Sequence, residues 1–395
     1  MNFRTMKRGI KNLVWEAVLL IHKLRKGIFP KRDLLHGIKI LDIRKTKKIL
    51  IIRHDRIGDT ILATPVIKSL KKSLPDVEIF MVIGSGGYEV VKENPYIKKA
   101  FIYDKKGFVT SPIKLLRFII GLRQEEIDLS LTLSHSFTVT GSLISFLSKA
   151  RYRVGYRDRY SSIFYNIDIP KDGMLRHEIE NNLLLIESLG IKDVIKRPDI
   201  FVSTSEESII QGFLIKNRRY PDIPLISIKP GSRLKGLGWD ISNYVEICKR
   251  LTENRVGEVI LIFGPGEDDL HNHMMRLVKE RPIIVLRSPN IRELTVVIDR
   301  SDLLICNHTG IMHITSAVKT PVIAIFKHGE PGRWGPFEVP SRILEDRDDR
   351  PLSSDTVYNE VVSFLKYSIT EENSYRFSDN KLHNDQAICN DYYLQ

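Results

Sequence analysis

Apolar residues in this chain fall into short runs, separated by stretches with a helical repeat. Ile49 to Arg53 is an Ile-rich run of strand length, and Asp59 to Lys72 sets Leu62, Val66, Ile67 and Leu70 on one side of a helix. Val77–Ile83 reads as strand, Leu115–Leu122 as helix and Asp128–Leu133 as strand; residues 174–189 read as a helix stopped by Gly190. A second series gives strands at Leu225–Lys229, Val259–Phe263, Ile283–Leu286, Leu303–Cys306 and Val322–Phe326, with helices over 242–252, 267–279, 291–299 and 311–318. Alternation of this kind predicts an α/β protein whose parallel sheets are covered on both faces. The polar stretch 203–223 reads as a linker between two doubly wound domains, 48–203 and 222–345. Residues 354–395 read as a late helix, able to return to the first half, and a polar tail. Ligands of such sheets bind beyond the carboxyl ends of the strands, which points to the cleft between the domains.

Residues 1–47 carry a different pattern. Ile10, Leu13, Val14, Ala17, Val18 and Ile21 recur at helical spacing, with cations on the opposite face. Residues 1–35 hold nine Lys or Arg against two Asp or Glu, a net +7 within a chain total of +13. Such a basic amphipathic extension suits an anionic lipid surface; its alternative is a docked helix with a solvated basic face. No nucleic-acid motif accompanies the charge. The chain has no apolar run of about 18 residues and no small-residue cleavage site after Leu13–Ile21, so neither a spanning helix nor a secretory signal is expected. Cys248, Cys306 and Cys389 are odd in number and far apart, which fits a reducing compartment and neither a disulfide framework nor a zinc site.

Candidate chemistry sits in the turns that follow strands. Arg53-His54-Asp55-Arg56-Ile57-Gly58-Asp59-Thr60 puts Asp59 at a helix start, as a general base toward a hydroxyl or, alternatively, as an N-capping residue. Lys229 to Trp239 contains three glycines, with Ser232, Arg233 and Lys235 among them; backbone N–H groups and cations there suit phosphate oxygens, although the pattern is no P-loop. Gly264-Pro265-Gly266-Glu267 begins like a dinucleotide fingerprint but has Asp269 where the third glycine belongs, which disfavours a dehydrogenase. Glu267 is then a ribose acceptor, or simply an acid in a first helical turn. Asn307-His308-Thr309-Gly310-Ile311-Met312-His313 is a further anion-binding turn, in which His313 is a phosphate ligand or a packed core histidine. Asp346-Arg347-Asp348 reads as a solvated charge run, not a metal motif.

Taken in order, these pieces resemble glycosyltransferase family 9, the heptosyltransferases of lipopolysaccharide core assembly. The resemblance rests on Ile51-Ile52-Arg53 leading to Ile57-Gly58-Asp59, Thr64-Pro65, Pro75-Asp76, Gly155-Tyr156, His177, Leu189-Gly190, Pro230-Gly231-Ser232, Lys235, Trp239, Phe263-Gly264 with Glu267, Asn307, Thr309 to His313, Thr320-Pro321 and Trp334-Gly335-Pro336. It spans roughly residues 48–340.

The resemblance implies a GT-B arrangement of two Rossmann-like domains facing a central cleft. It implies inverting transfer of a heptose from ADP-heptose to a lipid-linked glycan on the cytoplasmic face of the inner membrane, without a metal or other cofactor. It assigns the general base to Asp59, neutralisation of the leaving diphosphate to Lys235, a place near the nucleoside to Glu267, and the donor-phosphate turn to Thr309, Gly310 and His313. Two departures stand out. His308 occupies the position where the family usually carries aspartate, which leaves the donor sugar open. The interval from Lys235 to Trp239 is longer than usual, which makes Arg233 an alternative cation. A non-catalytic glycan- or nucleotide-binding protein that kept the fold is the other reading of the same residues.

Overall fold

The computed structural model describes residues 41–371 apart from 137, 233–235, 237 and 280. The basic extension 1–35 and the tail beyond 371 lie outside the described residues. Among the described residues twelve strands form two parallel six-stranded sheets. The first holds β1 (Lys48–Arg53), β2 (Glu78–Gly84), β3 (Ile97–Tyr103), β4 (Leu129–Thr132), β5 (Tyr152–Tyr156) and β6 (Ile167–Ile169) in the order β3-β2-β1-β4-β5-β6. The second holds β7 (Leu225–Lys229), β8 (Glu258–Phe263), β9 (Ile283–Arg287), β10 (Leu303–Asn307), β11 (Val322–Phe326) and β12 (Ser341–Glu345) in the order β12-β11-β10-β7-β8-β9. Both are the doubly wound order of a dinucleotide-type sheet, so each has its switch point where the chain reverses direction: between β1 and β4, and between β7 and β10. The turns after those strands therefore open at the two crevices.

The central strands are buried end to end because their residues face helices on both sides; β7, β10 and β11 are buried at every position. One apolar cluster runs from Ile49, Ile61 and Leu62 of the first domain to Leu294, Met312 and Ile314 of the second. The domains are also tied by polar contacts. Arg292, buried, bonds Glu206 at 2.6 Å and reaches Glu89 of the first domain at 2.5 Å. Arg197 donates to the Ala317 carbonyl at 2.9 Å.

Several elements differ from the sequence expectation. The helix expected over 59–72 is two helices, Ile57–Ile61 and Thr64–Ser73; Pro65 sits at the start of the second, where its missing N–H costs nothing. The expected linker 203–223 contains the helix Thr204–Asn217, started by a Ser203–Glu206 capping box and packed against the helix Ile291–Asp299. The helix expected from 174 starts at Glu178. The late helix, Ser354–Glu371, does not return to the first half: Val357, Val361, Phe364 and Leu365 join the core of the second, against the helix Ile241–Glu253. Asp346 is not a solvated charge, since it is buried and accepts from the Leu352 N–H at 3.0 Å.

Candidate active site

The turn after β1 and the turn after β10 meet backbone to backbone. A Cβ on Gly58 would stand 2.9 Å from Gly310 Cα and 2.8 Å from His313 Cδ2, and a Cβ on Gly310 would stand 2.8 Å from Gly58 N. Only glycine admits this approach. It sets Asp59, in the first turn of the helix Ile57–Ile61, directly beside the Thr309-Gly310 turn of the facing domain.

Asp59 does not cap its helix. The N-cap position is Arg56, and the Asp59 carboxylate turns back to the strand end, where Oδ1 accepts from Arg53 at 2.5 Å. Arg53 closes β1 with its side chain 2% exposed. It also donates to the Leu133 carbonyl after β4 and, at 3.0 Å, to Oε1 of Glu178. Burial works against the Arg53 charge, but Asp59, Glu178 and Asp55 outweigh it, and the pKa is raised.

Glu178, 1% exposed, is shared between the domains. Its Oε2 accepts from Nε and Nη2 of Arg333 at 3.0 and 2.9 Å, two donors of one guanidinium on a single oxygen, from the short helix Pro331–Trp334 after β11. A chain of charges thus runs Arg333–Glu178–Arg53–Asp59, from one domain to the candidate base of the other. His177 lies alongside it: Nδ1 accepts from the Ile179 N–H at 3.2 Å, and Nε2–H donates across the interface to the Gly335 carbonyl at 3.0 Å. Burial lowers the His177 pKa, in keeping with this neutral tautomer.

On the second domain, Asn307 fixes the glycine-rich loop after β7 at both ends. Its Oδ1 accepts from the Trp239 N–H at 2.9 Å and its Nδ2 donates to the Pro230 carbonyl at 2.7 Å. Ser232 is half-buried in this loop. Arg233 and Lys235 lie outside the described residues. Beneath the loop, Lys229 at the end of β7 is buried and bonds both oxygens of Glu267, at 2.7 and 2.6 Å. Glu267 also accepts from the Gly264 N–H at 2.7 Å. A side chain at Gly231 would overlap this pair, so its glycine is needed for close approach. Burial lowers the Lys229 pKa, and Glu267 opposes the shift.

In the turn after β10, His308 stacks on Phe326 with centroids 4.3 Å apart, and its Nδ1–H donates to the His328 carbonyl at 3.2 Å. Burial, and the charge of Arg56 across the cleft, lower its pKa. Thr309 Oγ1 is buried without a hydrogen-bond partner among the described residues. His313 is also buried, packed against Gly58, with Nδ1 likewise unpartnered. Burial holds its pKa down to about 3, so it is neutral at physiological pH and offers a phosphate no charge.

The structure thus joins Gly58, the residue before Asp59, to Gly310 and His313, and Glu267 to the base of the loop that holds Ser232. Sequence reading assigned no role to Glu178, Arg333, Lys229, Asn307 or Arg53. Arg53, Lys229 and Asn307 were within the motifs, each a polar residue at the end of an apolar strand, and that position is the signal. Glu178 and Arg333 gave none, since they act through each other at a separation of 155 residues.

Among the described residues no group of His, Cys, Asp and Glu is disposed to hold a metal ion, and no helix is long and apolar enough to cross a membrane.

The family model described as glycosyltransferase family 9 (heptosyltransferase) matches residues 115–355. Lipopolysaccharide heptosyltransferase 3 of Escherichia coli (strain K12) is 30% identical over 324 residues, covering 75% of this chain and 91% of that protein. The lipopolysaccharide core heptosyltransferase OpsX of Haemophilus influenzae is 22% identical over 297 residues, covering 74% and 82%. The glycosyltransferase family 9 structure from Veillonella parvula superposes with a TM-score of 0.73 at 21% identity, covering 82% of this chain and 98% of that one. The ADP-heptose heptosyltransferase II of Escherichia coli gives 0.67 at 17% identity, covering 82% and 99%. Those two likenesses show the GT-B fold of facing Rossmann-like domains. The chain is a glycosyltransferase and belongs to glycosyltransferase family 9, the heptosyltransferase family.

Proposed function

We propose that this enzyme transfers a heptose, with inversion, from ADP-heptose to a lipopolysaccharide core or other lipid-linked glycan acceptor. The observation that carries the reading is the Gly58–Gly310 contact, which brings a carboxylate from one switch point beside the turn at the other. Asp59 takes the proton of the acceptor hydroxyl as its oxygen attacks the anomeric carbon. The bond from that carbon to the phosphate oxygen breaks, and its electron pair leaves with ADP. Arg53 holds Asp59 in place until the hydroxyl arrives.

The leaving diphosphate takes the loop after β7, with Ser232, Arg233 and Lys235, and the Thr309-Gly310 turn, whose buried Thr309 hydroxyl awaits a partner. Glu267, held by Lys229, faces the nucleoside. His308 and His313 complete the donor wall as neutral hydrogen-bonding rings. The chemistry so described needs no metal or other cofactor. The relatives named as lipopolysaccharide heptosyltransferases support the substrate class, as does the Escherichia coli heptosyltransferase WaaC described in complex with ADP. The basic extension 1–35 would hold the enzyme to the anionic inner face of the cytoplasmic membrane, where a lipid-linked acceptor is presented.

The test is nucleotide release from ADP-heptose and from other ADP-, GDP- and UDP-sugars, with a deep-rough lipopolysaccharide acceptor. Asp59→Asn keeps the Arg53 hydrogen bond and removes the basic oxygen. The variant is expected to lose about 10²–10⁴-fold in kcat while donor affinity holds. Release from a different donor alone would overturn the heptose assignment, and an Asp59→Asn variant of wild-type rate would overturn the role of the base.

A further inference from the structure

A surface helix normally turns its large aliphatic side chains to the core. Helix Pro112–Gln124 carries a second set on its outer face. Ile113, Leu116 and Ile120 are 62%, 56% and 45% exposed, and Leu122 is its one fully buried residue. At 3.6 residues per turn these three side chains fall within an arc of about 60° and form a single stripe. Phe118, on the inner side, packs edge-on to Phe101 and Tyr103, so the helix is seated on the sheet and the stripe is its outer face.

The segment that carries the stripe, between Asp104 and Glu125, has charge of one sign. From Lys105 to Gln124 the sequence holds Lys105, Lys106, Lys114, Arg117 and Arg123 and no Asp or Glu. Lys105, Lys106, Lys114, Arg117 and Arg123 are all exposed. The nearest acid after the helix, Glu125, is paired with Lys99 at 2.7 Å. The patch also borders the reaction site: Tyr103, which ends β3 and packs against Phe118 of this helix, stands edge-on to His54 in the turn after β1, with centroids 5.2 Å apart.

We propose that helix Pro112–Gln124 is a membrane-docking face, whose Ile113, Leu116 and Ile120 enter the headgroup boundary of an anionic bilayer while Lys114, Arg117 and the neighbouring Lys105 and Lys106 meet lipid phosphates. The proposal rests on the reading that the acceptor is lipid-linked. Charge chooses the occupant. Residues 1–35 carry a net +7 and would bring like charge onto this face, and a second copy of the same face would do the same. An anionic lipid surface complements both the stripe and its basic border. Docked in this way, the helix would set the first domain against the bilayer.

The experiment is co-sedimentation of the full-length enzyme with phosphatidylglycerol–phosphatidylethanolamine vesicles and with phosphatidylcholine vesicles. Alongside the wild type run the triple variant Ile113→Ser, Leu116→Ser, Ile120→Ser and the double variant Lys114→Glu, Arg117→Glu. These positions are exposed, so the fold is expected to stand, and an unchanged melting temperature checks it. Partitioning onto the anionic vesicles is expected to fall at least about tenfold in both variants. ADP release with a lipid-free core oligosaccharide acceptor is expected to be unchanged in both. Wild-type partitioning by the triple variant overturns the proposal, whether residues 1–40 or another surface then carries the binding. So does a dimer in sedimentation velocity that the triple variant dissolves, which would give the face to a second copy. If the wild type releases no ADP with the lipid-free acceptor, it is the reaction reading that fails, and the vesicle result stands by itself.

Discussion

Gly58 and Gly310 belong to different domains, yet each stands where the other's Cβ would be, with separations of 2.9 and 2.8 Å to backbone atoms. The contact lies between the two switch-point turns. It fixes how near Asp59 comes to the donor wall.

Gly310→Ala is therefore expected to hold the domains apart without disturbing either sheet. Displacing reacting groups by about 1 Å costs on the order of 10²-fold in rate. The variant should lose kcat by at least about tenfold and keep a melting temperature near that of the wild type. Steady-state kinetics with a thermal melt checks both, and a wild-type kcat would mean that the contact does not set the reacting distance.

Glu178 is the second hinge of the interface. Replacing it by Ala leaves Arg53 and Arg333 without their shared counter-charge, and Arg53 is fully buried. Removing one partner of a buried ion pair costs about 3–5 kcal/mol. Glu178→Ala should lower the melting temperature by several degrees and also depress kcat, because Arg53 is then left to Asp59 and Asp55, without the acid that draws it away from Asp59. Arg333→Lys keeps the charge but not the paired donors, and is expected to fall between wild type and Glu178→Ala.

Lys229 and Glu267 pair beneath the glycine-rich loop. Glu267→Gln strands a buried lysine, and Lys229→Met strands a partly exposed carboxylate. The double variant is expected to be more stable than the sum of the two single losses predicts, by a coupling of about 1–3 kcal/mol. A double-mutant cycle measured by melting gives the coupling, and calorimetric donor titration should show weakened binding in both singles. Additive effects would remove the pair from the loop's support.

The fold was legible where burial is complete. Ile49–Arg53, Leu225–Lys229 and Val322–Phe326 are central strands whose apolar runs cannot be anything on the surface. The edge strands β3 and β12 escaped because their exposed faces carry Lys98, Lys99 and Arg342, which reads as loop. The helix Thr204–Asn217 escaped because it buries only Glu206, Ile210 and Leu214, too few for an apolar stripe. At the site, Asp59 and Gly310 were legible because each follows a strand within a short motif. Arg53 meets Leu133 and Glu178 across 80 and 125 residues, and no local pattern encodes that meeting.

Acid should loosen the interface before it unfolds either sheet. Burial lowers the His313 pKa from 6.5 to about 3, so the unfolded chain binds this proton between those values and the folded chain does not. Stability contributed by the neutral ring is complete above pH 6.5 and is lost as pH falls toward 3, about 2 kcal/mol of it by pH 5. His177 shifts in the same direction, and its protonated Nδ1 could no longer accept the Ile179 N–H. Melting temperatures of the wild type from pH 7 to pH 4.5 should fall more steeply than those of His313→Gln. Parallel slopes would show that the proton goes elsewhere.

His308 tests which donor the enzyme reads. Its ring stacks on Phe326, its Nδ1–H is committed to the His328 carbonyl, and burial with the nearby Arg56 keeps it neutral. Nε2 is then an acceptor without charge. An aspartate here, as the family usually carries, would present two charged acceptors to the sugar hydroxyls. Burying that carboxylate beside Phe326 carries a cost that Arg56 can offset in part. His308→Asp is therefore expected to change kcat/KM between donors, raising it for the sugar that offers two hydroxyl donors and lowering it for the native one by about tenfold. His308→Phe keeps the stack and removes the acceptor, so it should weaken every donor in proportion to the lost hydrogen bond, about 1–2 kcal/mol. A panel of nucleotide sugars assayed with the three proteins separates these outcomes. Equal donor ratios throughout would place His308 in the wall of the cleft and take it out of sugar selection.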